Sequence, residues 1–264
     1  MGCSASTAWP ITGKAGCKDM FYGEQEIERL ITWIRTWFEE NGPTAKAVVG
    51  ISGGKDSGVC AALLVRALGV NRVQAVMMPD GVQADIADSW RLVDYLGLTP
   101  LVINIGPATA AMKSVLSEHL VLSEDARINL PARIRMTTLY AVAQSVEGGG
   151  RVCNTCNLSE DYIGYSTKYG DAAGDFSLLA DFTVTEVLAL GDGLGLPKEL
   201  VHKAPSDGLC GKTDEEKIGF SYATLDRYIR EGICEEEAIK AKIDKMHQQN
   251  LHKLKPIPAY CHEI

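Results

Sequence analysis

The sequence predicts an α/β fold, a doubly wound parallel sheet with helices on both faces, and three observations predict it. Short apolar runs alternate with amphipathic helical stretches over residues 27–155, and the links between them are short. A glycine-rich turn, Ser52-Gly53-Gly54-Lys55-Asp56-Ser57, falls between the first apolar run and the helical stretch after it. Strands joined through helices pair in parallel, and a parallel sheet needs cover on both faces.

Each element has its own signal. Ile27, Leu30, Ile31, Ile34, Trp37 and Phe38 recur at helical spacing, and Asn41-Gly42-Pro43 stops that first helix. Residues 45–51 read as a buried strand, and helical patterning resumes over 59–68. Residues 73–78 form a second strand, 84–96 a helix and 101–105 a third strand. Residues 108–122 and 127–144 are helices; Gly148-Gly149-Gly150 breaks the chain before a fourth strand at 151–155. Residues 159–175 are polar, glycine-bearing and dense in Tyr, Lys and Asp, which reads as a functional loop. Helical patterning returns at 183–190, a second polar loop spans 204–216, and Tyr222, Leu225, Tyr228 and Ile229 share one helix face. Residues 235–248 form the last helix. Residues 1–22 read as a disordered leader or an added segment, and 23–264 as one domain without internal repeats.

Composition excludes several classes. With 264 residues, 46% hydrophobic and 23% charged, the chain matches an ordinary globular protein. Acidic residues outnumber basic ones, 34 to 26, the opposite of the balance that grips nucleic acid. The longest purely apolar run, residues 59–65, is far short of a bilayer span. Neither nucleic acid nor membrane is expected as a partner. Met1-Gly2 with Ser6 formally fits an N-myristoylation pattern, although it lies in the segment read as a leader. Eight scattered cysteines suit a reducing, cytoplasmic location better than a disulfide framework. Cys153-Asn154-Thr155-Cys156 has zinc-like spacing, but no second pair follows, so these read as small buried residues at a strand end.

The glycine-rich turn carries the chemistry. Between a strand and a helix its glycines let backbone N–H groups converge on phosphate oxygens, and its spacing is not that of a Walker A loop. It resembles the PP-loop of the ATP pyrophosphatases, which implies ATP cleavage between the α and β phosphates. Further stretches then follow in the order seen in ammonia-dependent NAD synthetases. They are Gly81-Val82-Gln83-Ala84-Asp85, Asn129 with Ala132-Arg133 and Arg135-Met136, and Thr155 with Glu160. After them come Thr167-Lys168-Tyr169-Gly170-Asp171, Lys203-Ala204-Pro205-Ser206-Asp207 and His252-Lys253. The resemblance covers about residues 24–256.

That resemblance implies an adenine nucleotide alpha-hydrolase-like fold and a two-step, ATP-dependent amidation of deamido-NAD by ammonia. It is the last step of NAD biosynthesis, and it yields NAD, AMP and pyrophosphate through an acyl-adenylate. ATP as co-substrate would be held by Gly50, Ile51, Ser52, Gly53, Gly54, Lys55, Asp56, Ser57, Gln83, Thr155 and Ser206. Asp56 and Glu160 would bind Mg2+, which hard carboxylate oxygens suit. Arg133, Lys168, Asp175, His252 and Lys253 would hold deamido-NAD. Asp56, Lys55 and Asp171 would be catalytic, with Asp171 as the base for ammonia. The family implies a homodimer whose substrate site is shared across the interface.

Two departures stand out. Val184 replaces a lysine the family often places on ATP, a loss Lys55 could make good, and Met77 replaces a common arginine. The length accommodates the synthetase domain without a glutamine-hydrolysing one, so free ammonia or a separate partner would supply the nitrogen. Rival readings are a PP-loop tRNA-thiolating enzyme using Cys153 and Cys156, and a non-catalytic nucleotide sensor.

Overall fold

The computed structural model describes residues 23–83, 85–203 and 214–260. The leader at 1–22, Ser206, most of the polar loop at 204–216, and Cys3, Cys17, Cys210 and Cys261 lie outside those residues.

Five parallel strands form one sheet in the order β3-β2-β1-β4-β5. They are β1 Lys46–Gly50, β2 Val73–Met77, β3 Leu101–Val102, β4 Gly150–Asn154 and β5 Phe176–Ser177. β1 is central, and its apolar run reflects burial on both sides. Ala47 and Val49 enter one core with Ile27, Ile31, Ile34 and Phe38 of α1 (Gly23–Asn41). Into that core also go Val59 to Leu64 of α2 (Lys55–Leu68), and Val187 and Leu190 of α7 (Val184–Gly193). Val48, with Val76 and Val152, faces the other way onto Met136, Leu139 and Val142 of α5 (Glu124–Ser145). The remaining sheet helices are α3 (Ile86–Tyr95), α4 (Gly106–Ser117) and the short α8 (Lys198–Val201).

A satellite core gathers the second half of the chain. Val184 of α7 clusters with Ile163, Ile218, Phe220, Tyr222, Leu225 and Ile243 among four further helices. These are α6 (Leu158–Tyr162), α9 (Asp214–Ile218), α10 (Tyr222–Glu231) and α11 (Glu237–Leu254). α11 is tied to α6 and the turn after it by polar contacts. His247 Nδ1 lies 2.8 Å from the Tyr162 carbonyl, and Asn250 Nδ2 donates to Ile163 O at 3.2 Å. Lys253 Nζ donates to Gly164 O at 2.7 Å and Ser166 O at 3.0 Å.

The architecture expected from the sequence is present, with several differences, the short helices α8 and α9 among them. α2 begins at Lys55, inside the glycine-rich turn, because Gly54 caps the helix and the first-turn residues are polar. The third strand shrinks to Leu101–Val102, although Ile103 and Ile105 still donate to Met77 O and Pro79 O at 2.9 Å. The polar stretch 159–175 is not all loop, since α6 occupies part of it. A fifth strand follows it, pairing Cys153 with Phe176 and Asn154 with Ser177.

Candidate active site

β1 pairs with the next strand in sequence on one side and with β4 on the other. The chain order therefore reverses direction at β1, which opens a crevice beyond the carboxyl ends of β1 and β4. The glycine-rich turn fills one wall of it. Gly50 ends β1, and Ile51 N donates to Val76 O at 2.9 Å, which pins the start of the turn to the sheet. Gly53 has φ +82°, and a Cβ there would meet Ser89 N at 2.8 Å and Asp88 Cβ at 3.0 Å. Only glycine lets the turn run this close to α3. Ser57 Oγ donates to Gly54 O at 3.1 Å and accepts from Ser52 N at 3.3 Å, closing the turn on itself. Gly54 caps α2 without a side chain, leaving the first-turn amides to an anionic ligand.

The two carboxylates assigned to a metal meet around one cation. Lys55 Nζ lies 2.8 Å from Asp56 Oδ2 and 3.6 Å from Glu160 Oε1. Its side chain is only 6% exposed. Burial works against the ammonium, but Asp56 and then Glu160 outweigh it and hold the lysine above its ordinary pKa. Burial, then the Asp56 carboxylate, pushes Glu160 up, against the lowering effect of Lys55. Sequence reasoning missed the residue that aligns the pair. Asn157, fully buried, donates from Nδ2 to Asp56 Oδ1 at 2.9 Å, and its Oδ1 accepts from Glu160 N at 3.0 Å as the cap of α6. Its signal was available in Asn157-x-x-Glu160, an N-cap spacing.

A second unforeseen residue braces the same wall. Asp226 of α10, 6% exposed, accepts from Ser159 Oγ at 2.5 Å, Thr185 N at 2.8 Å and Thr185 Oγ1 at 2.6 Å. It thereby ties α6, which carries Glu160, to the first turn of α7. The Tyr222 hydroxyl is buried nearby, within electrostatic reach of Glu160 and Asp214, and has no hydrogen-bond partner among the described residues.

Thr155 follows β4 at the same rim and is half-buried. Asp171 is exposed, and its Oδ1 accepts from Thr167 N at 2.9 Å. Cys153 and Cys156 have different partners. Cys153 sits in the core beside Cys60, whereas the Cys156 thiol donates to the Asp171 carbonyl at 3.3 Å. Burial raises the Cys156 pKa well above its ordinary value, which disfavours the thiolate.

The residues assigned to the acid substrate form a row across α5, the 167–171 turn and α11. Arg133 Nε donates to Lys168 O at 3.2 Å, and Lys168 Nζ to His252 O at 2.8 Å. Lys253 is engaged with Gly164 and Ser166. Asp175 accepts from Val152 N at 2.7 Å and from the Tyr140 hydroxyl at 3.3 Å. Beside it opens a cleft of 610 Å³ lined by Met136, Thr137, Tyr140, Gln144 and Tyr169. Gln83 stands apart from this row. It donates to Asp85 at 2.9 Å, and Asp85 and Asp88 pair with Lys203 at 3.0 and 2.7 Å. The two departures are core positions: Val184 and Met77 are 6% and 1% exposed.

The NAD synthase family matches residues 26–259. The NH(3)-dependent NAD(+) synthetase of Archaeoglobus fulgidus is 38% identical over 237 residues, covering 87% of this chain and 94% of that protein. Among solved structures, an NMN synthetase from Francisella tularensis superposes with a TM-score of 0.83 at 30% identity, covering 91% of this chain and 99% of that one. An NH3-dependent NAD synthetase from Campylobacter jejuni gives a TM-score of 0.74 at 26% identity, covering 92% and 100%.

Proposed function

This chain belongs to the NAD synthase family, and from that premise we propose that it amidates deamido-NAD with ammonia at the expense of ATP, forming NAD, AMP and pyrophosphate. The observation that carries this reading is the pair Asp56 and Glu160. They converge on one cation beside a glycine-rich turn whose first-helix amides are uncapped by any side chain.

The proposed chemistry gives each group a role. Gly50 to Ser57 cradle the phosphate chain of ATP, with Thr155 across the crevice and Gln83 on the nucleotide; Ser206, outside the described residues, is assigned to ATP by the family resemblance alone. Asp56 and Glu160 fit Mg2+ by donor type, two carboxylates facing one cation position. When bound, magnesium neutralises the phosphates and the departing pyrophosphate. Arg133, Lys168, His252 and Lys253 hold the anionic acid substrate, and Asp175 its hydroxyl or amide groups. The nicotinate carboxylate oxygen bonds to the α-phosphorus as the bond to the β-phosphate oxygen breaks. Ammonia then bonds to the acyl carbon, AMP leaves, and Asp171 takes the proton that nitrogen sheds. The work is positioning and charge stabilisation, without a covalent enzyme intermediate.

Assembly and location are part of the same proposal. A homodimer with a substrate site shared across the interface is supported by exposed apolar side chains on and around α4, where Met112, Val115 and Val121 lie at the surface. A single domain over 23–264 and a cytoplasmic location belong to the proposal; no helix among the described residues is long and apolar enough to cross a membrane.

Purified protein supplied with ATP, magnesium, deamido-NAD and an ammonium salt should release AMP and NAD in equal amounts. Neither product forming would overturn the reading. A second reading, that the acid form of NMN is the substrate, is favoured by the likeness to the Francisella tularensis structure. Parallel kcat/KM values for the dinucleotide and mononucleotide acids decide between the two.

A further inference from the structure

We propose that the Lys55 ammonium is a resident counter-ion in the cation position of the Asp56 and Glu160 pair. In this proposal ATP exchanges it for the divalent metal, the amine moving onto the phosphate chain as the metal takes its place. This rests on the ATP-cleaving reading of the site and adds a cation exchange to it.

The geometry is unusual for a lysine. Lysine ordinarily keeps its ammonium in water, with only the stem buried. Here Nζ is inside, 2.8 Å from one carboxylate and 3.6 Å from the other, in a residue 7% exposed. An ammonium and a dication cannot share that position, because like charges at such distances repel strongly where water is scarce. The carboxylates are not free to part and accommodate both. Asn157 holds the second oxygen of Asp56 at 2.9 Å and caps the helix bearing Glu160.

Two further observations point to exchange rather than a permanent ion pair. Lys55 is the first residue of α2, so its stem begins at the amides that face the phosphates and a short swing reaches them. The Tyr222 hydroxyl, 3% exposed and within reach of Glu160 and Asp56, has no partner among the described residues. A buried hydroxyl without a protein partner is a donor still open to a carboxylate or phosphate oxygen brought within reach.

The test is Mn2+ binding to the nucleotide-free full chain, followed by the electron paramagnetic resonance of free Mn2+. Lys55→Gln and Lys55→Met should bind Mn2+ about tenfold or more tightly than wild type, since removing the resident charge unblocks the pair. Lys55→Arg should stay as weak as wild type. Neutral variants that fold and bind Mn2+ no more tightly than wild type overturn the proposal. On the wild type itself, Mn2+ should leave the melting temperature unmoved until a non-hydrolysable ATP analogue is added. An equal Mn2+ shift with and without the analogue overturns it too. Neither measurement uses the acid substrate or turnover, so a failed NAD assay and a failed exchange are separate results.

Discussion

Asn157 is where the site is most exposed to a single change. Its side-chain nitrogen donates to Asp56 and its side-chain oxygen caps α6, so its removal leaves a carboxylate and a helix start both short of a partner. Asn157→Ala should lower stability by about 1–3 kcal/mol in chemical denaturation and reduce kcat/KM for ATP about tenfold. Next to it, Asp161 gives a pH signature. Burial pushes its carboxyl up to about 6, with Asp171 adding to the rise, while the bond from Ser166 and the charge of Lys253 work the other way. The folded protein thus keeps a proton that the unfolded chain has already released above about pH 4. This contribution makes stability fall as pH rises from about 4 to about 6, and Asp161→Asn should flatten that slope in denaturation curves across the window. Sequence legibility at this scale follows chain distance. Gly53 and Ser57 declare themselves within six residues. Asp226 does not, because its partners Ser159 and Thr185 stand 67 and 41 residues away. Lys55 was readable as a loop cation, but nothing in the sequence says a lysine points inward.

Elements were legible where burial is two-sided or periodic. β1 has apolar residues on both faces because both faces are covered, and α1 repeats its apolar positions because one stripe meets α2 and α7. β5 escaped because two residues make no pattern; its register is dictated by β4. α6 escaped for a related reason: five residues stabilised by an Asn cap and by α11 need no amphipathic repeat of their own. That dependence can be tested at Gly164, where φ is +71° and an added Cβ would stand 2.1 Å from Asn250. Gly164→Ala should push α11 off the turn after α6, at a stability loss of about 2 kcal/mol or more. Lys253 then loses its carbonyl partners beside the acid-substrate row. The KM for deamido-NAD should rise about tenfold while that for ATP changes little, as initial rates with each substrate varied would show.

At the scale of the whole molecule, the parallel sheet sends the carboxyl ends of its strands toward one rim, where the glycine-rich turn after β1 and Thr155 after β4 stand although about 100 residues separate them. The face carrying α4 is different in kind. Of that helix only Thr109 is buried, and Val115 is 55% exposed. Light scattering should give twice the chain mass for the wild type, and Val115→Glu should shift it toward a single chain. A wild type that runs as a monomer at micromolar concentration would remove the shared-site arrangement. The bonds from α11 to residues 162–166 also set a schedule. The carbonyl of Ser166 waits for an amine 87 residues downstream. A ribosome adding 5–20 residues per second needs about 4–17 s to supply it. The sheet can assemble while the chain is still being made, but the wall bearing Glu160 gains its last brace only near the end of translation. A nascent chain stalled at residue 240 should therefore protect β1 and β4 from a protease and leave the 162–170 turn open to it.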